Sequence, residues 1–166
     1  MKLSTKLGCA ILGLCAAVMT PGGARAEDDN GPDGKGYPGN MCTPVLSTTT
    51  FSHNNNAYVN TSGTSVNVVC PAIQDSWMST SGLGYSRMQV NNVNGGTITC
   101  LQVAFNINGT SVSSASASTT TAGLSTLYFL TGGTYLPTTA AEGYFSTICA
   151  LGAGDSIRSY TIQERL

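Results

Sequence analysis

The sequence contains few charged residues and a single histidine. Only 9% of its residues are Asp, Glu, Lys or Arg, and His53 is the only histidine. A Ser-His-Asp triad needs a histidine base, and His53 lies in an Asn-rich segment that predicts an exposed loop. Transition-metal sites need clustered His, Cys or acidic residues, and the sequence shows no such cluster and no phosphate-binding motif. We therefore expect no catalytic residue, no metal site and no cofactor.

Acidic residues are also too few to suggest a hydrolase. Glycoside hydrolysis needs two carboxylates on either side of the scissile bond, and beyond the N-terminal segment only Asp75, Glu142, Asp155 and Glu164 remain. Asp155 lies in a predicted turn, where Asp is common, and Glu164 is nearly terminal. A hydrolase that uses Asp75 and Glu142 is therefore the least favoured function.

Residues 1–26 have the features of a cleaved export signal. Two lysines precede an apolar run of about 13 residues, which is too short to cross a bilayer, and Ala-Arg-Ala at 24–26 suits a signal peptidase. We expect secretion from a bacterial cell, to the periplasm or outside the cell, where disulfides form. The remaining chain has four basic and eight acidic residues. A basic patch cannot form, which excludes nucleic acid and, after signal cleavage, a membrane as partners.

The rest of the chain predicts one domain that follows a short leader. Residues 27–41 consist mostly of Gly, Pro and acidic residues, a composition typical of a flexible leader. In residues 42–166, apolar residues alternate with polar ones, as at Val66, Val68 and Cys70, and turn residues recur about every ten positions. About seven strands predict an all-β fold, an antiparallel β-sandwich of the immunoglobulin-like or jelly-roll style.

Turn residues also predict how the strands connect. Asn94-Gly95 predicts a hairpin between the segments 85–93 and 97–107, and Gly152 to Asp155 predicts a last hairpin. Pro71 is expected to end its strand. The Ser/Ala segment 110–118 predicts a weak strand at a sheet edge. Since it carries no charge, it is open to pairing with another copy.

Four cysteines remain after removal of the signal, and they permit three pairings. We favour Cys42–Cys70, which attaches the incoming N-terminal segment to the first clear strand, and Cys100–Cys149, which joins two central strands distant in sequence. Each bridge closes a loop of tens of residues and stabilises the fold by roughly 3–4 kcal/mol in the chain-entropy model.

The motifs around these cysteines resemble a pattern in small, uncharacterised secreted bacterial proteins. The motifs are Cys-Thr-Pro at 42–44, Val-Val-Cys-Pro at 68–71, Thr-Cys-Leu at 99–101, Ile-Cys-Ala-Leu at 148–151 and Ile-Arg-Ser-Tyr at 157–160. The resemblance implies export and the all-β fold. Since that group has no assigned activity, it implies no functional residue for this chain.

Two non-catalytic functions remain after these exclusions. The favoured one is a surface or matrix component that acts structurally or through protein contacts, including self-assembly. The alternative is a carbohydrate-binding module, because exposed rings can stack on sugars while amides and hydroxyls bind sugar hydroxyls. Trp77, Tyr85 and Tyr58 are the candidate ligand-binding residues, with Trp77 first because it lies in a loop-like segment.

Overall fold

The computed structural model describes residues 33–72, 82–130 and 143–164, which form two antiparallel β-sheets. The strands are β1 (Asp33–Pro38), β2 (Thr43–Pro44), β3 (Phe51–Asn54), β4 (Ala57–Asn60), β5 (Val66–Ala72), β6 (Leu83–Asn92), β7 (Ile98–Phe105), β8 (Ser111–Thr119), β9 (Gly123–Leu130), β10 (Tyr144–Leu151) and β11 (Ser156–Glu164). A 3₁₀ turn spans Gly39–Met41. The predicted signal at 1–26, Asp75, Trp77 and Glu142 lie outside the described residues.

The two sheets form a sandwich, which confirms the predicted fold class. The six-stranded sheet has the order β3-β4-β11-β6-β9, with β1 paired to β11, and the five-stranded sheet has the order β2-β5-β10-β7-β8. Alternate residues of β5 are buried between the sheets: Val66, Val68, Cys70 and Ala72. The core combines side chains of both sheets, with Met88 and Val90 from the first and Leu151 from the second.

Both disulfides have the predicted pairing, and both lie in the five-stranded sheet. Cys42–Cys70 attaches the residue before β2 to β5, and Cys100–Cys149 joins β7 to β10, where the two cysteines lie directly opposite each other. All four cysteines are fully buried. The Met88 sulfur of the facing sheet lies 3.2 Å from the Cys149 sulfur, so this bridge is part of the packed core.

Two predicted hairpins are wrong, because the chain crosses between the sheets at both places. At Asn94-Gly95 it passes from β6 to β7, and between Gly152 and Asp155 it passes from β10 to β11. Gly95 has the positive φ expected of its turn. However, both edges of β6 are already paired, with β11 and with β9, so β7 cannot pair with it. A turn motif predicts the reversal of the chain but not the strand that the chain then pairs with.

Hydrogen bonds connect the crossing loops at this end of the sandwich. Asp155 is buried, and its carboxylate oxygens accept hydrogen bonds from the backbone N–H groups of Val93 and Gly152, both at 2.9 Å. The buried Asn60 amide donates to the backbone carbonyls of Gly152 at 2.8 Å and Thr64 at 2.9 Å. Asp155 and Asn60 thus join the β10–β11, β6–β7 and β4–β5 connections.

The second half of the predicted flexible leader 27–41 is ordered, which corrects that prediction. Asp33–Pro38 forms β1 and pairs with β11 along its whole length. Lys35 Nζ lies 2.8 Å from a carboxylate oxygen of the buried Glu164. The Tyr37 ring stacks on Tyr160, with 5.0 Å between ring centroids. Composition alone misses this strand because its contacts are made with residues more than a hundred positions later.

The two remaining strand predictions have opposite outcomes. The Ser/Ala strand β8 lies at the edge of the five-stranded sheet, as predicted, and pairs within the described residues with β7 alone. Pro71 does not end its strand, because β5 continues to Ala72 and Pro71 lies opposite Ser146. Its missing N–H removes one potential ladder hydrogen bond without breaking the register.

Candidate functional site

Polar and aromatic side chains cover the outer face of the six-stranded sheet. On β6, Met88 and Val90 are fully buried. Because side chains alternate along a strand, Tyr85, Arg87 and Gln89 point to the opposite face, away from the core. None of these three side chains is buried, and Arg87 is exposed. This alternation defines the candidate site, which we call the β6 face.

The neighbouring strands extend the β6 face in two rows. Arg87 lies between Thr161 of β11 and Tyr128 of β9. Residues directly opposite each other in an antiparallel pair share a face of the sheet. The next row consists of Ser159, Gln89 and Thr126. Hydroxyl, amide, guanidinium and phenol groups therefore lie side by side across three strands.

Two tyrosines form the aromatic part of the β6 face. The Tyr128 side chain is 50% exposed, and its ring centroid lies 6.4 Å from that of Tyr85, with the two planes inclined at 59°. Sequence reasoning selected Tyr85 but missed Tyr128, because Tyr128 lies within an apolar run and not in a loop. The signal that could have found it is the alternation of β9, where the buried Leu127 and Phe129 flank it.

A shallow depression of about 120 Å³ lies next to the tyrosines, between β6 and β11. Arg87, Gln89, Ser159, Tyr160 and Thr161 line it. The Ser159 hydroxyl donates a hydrogen bond to Gln89 Oε1 at 3.3 Å. No ion pair involves Arg87 within the described part of the chain. The depression is therefore lined mainly by hydrogen-bond donors and one positive charge.

Glycines keep the far side of the β6 face open. On β1, Gly36 lies opposite Thr161, and Gly34 lies opposite Gln163. A Cβ atom at either glycine would meet no other atom within 4 Å. The surface beyond β11 is therefore flat and unobstructed, so the open face spans β1, β11, β6 and β9.

The predicted ligand-binding residues do not form one cluster. Tyr85 lies on the β6 face, whereas Tyr58 has no exposed surface, which corrects its assignment as an exposed platform. Tyr58 stacks under Phe51, with 5.3 Å between ring centroids, and burial raises the pKa of its hydroxyl. Trp77 lies outside the described residues. His53 is exposed, as expected, but it belongs to strand β3.

The carboxylates of Asp155 and Glu164, the two described acids that were considered for hydrolysis, are both engaged within the protein. Asp155 bonds to backbone N–H groups and Glu164 pairs with Lys35, and both are buried. In the ranges that the structure describes, no three His, Cys, Asp or Glu side chains come together as metal ligands would. The described residues also contain no helix of the length and apolarity needed to span a membrane.

A larger open groove, of about 510 Å³, lies elsewhere on the surface. Residues 45–50 and 62–67 contribute its lining, which is made of Thr, Ser and Asn side chains together with Val45, Leu46 and Val66. None of the described residues that line it is aromatic or charged. Despite its size, the groove offers no ring for stacking and no ionic contact, so the β6 face is the better candidate.

No family model matches the chain, and neither does any curated protein. Among solved structures, a low-affinity xylan-binding module from Roseburia intestinalis has a TM-score of 0.47 and 8% identity, over 78% of this chain and 94% of that one. Two modules of the Clostridium thermocellum endo-1,4-β-D-xylanase 10B, complexed with xylohexaose, have a TM-score of 0.46 and 15% identity, over 84% of this chain and 29% of that one. The Arthrobacter globiformis isomalto-dextranase complexed with panose has a TM-score of 0.46 and 14% identity, over 78% of this chain and 23% of that one. None of these likenesses assigns a function to this chain.

Proposed function

We propose that the protein is a secreted, non-catalytic carbohydrate-binding β-sandwich whose ligand lies on the β6 face. The observation that carries the proposal is the placement of Tyr128 and Tyr85 beside Gln89, Ser159 and Thr161 on one open surface. A pyranose has an apolar C–H face and a rim of hydroxyls. Phenol rings cover the C–H face, and amide and hydroxyl groups form hydrogen bonds with the sugar hydroxyls.

The shape of the β6 face favours a polymer over a free sugar. Three strand spacings separate β1 from β9, which gives a surface about 14 Å wide. The depression beside Arg87 on this face is shallow and small, at about 120 Å³. A flat, open site binds an internal stretch of a chain and buries little of each sugar, so we expect modest affinity.

The β8 edge supports a second candidate function, self-assembly into a surface layer or matrix. Its nine residues, Ser111–Thr119, contain no charged residue and no proline, which are common protections of an edge strand. Two copies could pair through this edge without contact to the β6 face. A molecular mass that rises with concentration and returns to that of a monomer in Ser116→Lys would support this function.

Polysaccharide binding by the oxidised protein, residues 27–166, tests the main proposal. Affinity electrophoresis against a set of soluble polysaccharides would compare the protein with Tyr128→Ala and Tyr85→Ala. Tyr144→Ala is the matched control, because Tyr144 is 42% exposed and stacks on Phe105 in the other sheet. We expect loss of one stacked ring to weaken binding about tenfold, with no change in the control.

Two results would contradict the proposal. One is binding that survives in both β6-face variants while the fold stays intact by circular dichroism. The other is equal loss of binding in Tyr144→Ala, which would place the site on the five-stranded sheet.

A further inference from the structure

We propose that Arg87 makes the β6 face selective for polysaccharides that carry uronic acid, by pairing with the carboxylate of one sugar. This inference rests on the proposed function and names its ligand class. The Arg87 guanidinium would hold the carboxylate in the depression between β6 and β11. The sugar ring that carries this carboxylate would extend over Tyr128.

Among the described residues, no ion pair involves Arg87, and Arg87 is the one charged residue that lines the depression. Glu164 of the same sheet pairs with Lys35, and Asp155 accepts hydrogen bonds from backbone N–H groups. Glu164 is also buried, on the opposite side of the sheet from the outward residues. The positive charge of Arg87 is therefore available to a ligand.

The groups around the depression are suited to an anion. Arginine presents a planar fork of N–H donors that matches both oxygens of a carboxylate. The Thr161 hydroxyl lies in the same row, and Gln89 Oε1 accepts from Ser159, which leaves the amide hydrogens of Gln89 for the ligand. None of the described residues that line the depression carries a carboxylate, so none of them repels an acidic sugar.

The depression also has a suitable size and position. A volume of about 120 Å³ accommodates a carboxylate and the edge of one sugar but not a whole oligosaccharide. Arg87 lies directly opposite Tyr128 in the strand register. A single sugar can therefore reach the charge with its carboxylate and the ring with its C–H face.

The test compares polygalacturonate with its methyl ester, because esterification removes the charge and leaves the polymer backbone unchanged. We expect the protein to bind the acidic form about tenfold more tightly at low salt and to lose most of this preference at about 1 M salt. Arg87→Gln should bind both forms with the same affinity, equal to the affinity of the unsubstituted protein for the methyl ester. Arg87→Lys should recover part of the preference, since it keeps the charge and loses the fork.

Arg158→Gln is the control for a general effect of charge, because Arg158 is exposed and does not line the depression. Equal binding of both polymers, or an unchanged preference in Arg87→Gln, would overturn the inference. Stronger binding to a sulfated polymer than to polygalacturonate would also overturn it.

Tyr128→Ala separates the two proposals, since it should weaken the binding of both the acidic and the esterified polymer. Binding to neutral polymers alone would overturn the role of Arg87 and leave the proposed function standing.

Discussion

Arg87 of β6 lies directly opposite Tyr128 of β9 on the outer face of the six-stranded sheet. The next pair in the same register is Met88 with Leu127, and both are buried. A slip of β9 by one residue would expose Leu127 and bury Tyr128. The apolar pattern of the core therefore sets the register that places the ring beside the charge.

Gly36→Val should separate ligand binding from folding. The added side chain meets open space on the outer face of β1, and valine favours a strand more than glycine does. We expect stability to stay equal or to rise by about 0.5 kcal/mol. Polysaccharide binding should weaken, because the branched side chain obstructs the flat end of the β6 face. Thermal unfolding and affinity electrophoresis measure the two effects, and unchanged binding would show that the ligand does not reach β1.

Gly39→Ala should destabilise the fold, in contrast to Gly36→Ala. A Cβ atom at Gly39 would lie 2.0 Å from the backbone oxygen of Ile157, whereas one at Gly36 meets nothing. Because the obstacle is backbone, β11 or the 3₁₀ turn must move. We expect a loss of about 1–3 kcal/mol in the free energy of unfolding. Urea denaturation of both variants is the measurement, and equal stability would mean that the turn does not pack against β11 in solution.

Alkaline pH should weaken the fold through its buried tyrosines. Burial raises the pKa of Tyr160 and of Tyr58, and the nearby Tyr37 raises that of Tyr160 further. Below the ordinary value of 10.0 both hydroxyls are neutral in the folded and unfolded states. Above it the unfolded state ionises first, so the free energy of unfolding should fall as pH rises beyond 10. Urea midpoints measured between pH 8 and 11 test this, and a flat profile would contradict it.

Phenylalanine substitutions distinguish the two tyrosines. The Tyr160 hydroxyl donates to the backbone oxygen of Pro71 in the facing sheet, so Tyr160→Phe should cost about 1 kcal/mol at neutral pH. The Tyr58 hydroxyl is buried and has no hydrogen-bond partner among the described residues. Tyr58→Phe should therefore leave stability equal or raise it. Equal losses in the two variants would contradict this difference.

The two disulfides should contribute separately to stability. Their sequence separations are 28 for Cys42–Cys70 and 49 for Cys100–Cys149. The chain-entropy model then gives about 3.5 and about 4 kcal/mol respectively. We expect each double Cys→Ala variant to unfold at lower urea than the parent protein, and full reduction to have the largest effect. A reduced protein as stable as the oxidised one would contradict this account.

The sequence predicted local features better than the placement of distant segments. Alternation identified β5, and the cysteine pairing was also predicted correctly. Both wrong hairpins and the missed β1 depend on which strand occupies which edge of a sheet. Non-local pairing decides that arrangement, and no local motif encodes it.

The candidate site was predictable only in part, for the same reason. Tyr85 was selected, but Tyr128 and Arg87 become neighbours only once β6 and β9 pair. Tyr58 was misplaced because its position near a turn resembles that of an exposed ring. In the structure, Phe51 of the edge strand β3 stacks against it.

The most direct test of the carbohydrate-binding proposal is a titration of the ¹⁵N-labelled, oxidised protein with a soluble oligosaccharide from the tightest-binding polymer, monitored by amide NMR shifts. The account predicts that the shifted amides cluster in residues 85–89, 124–128 and 159–163, on strands β6, β9 and β11 of the β6 face. Shifts confined to the groove at 45–50 and 62–67, or to β7 and β10, would contradict it.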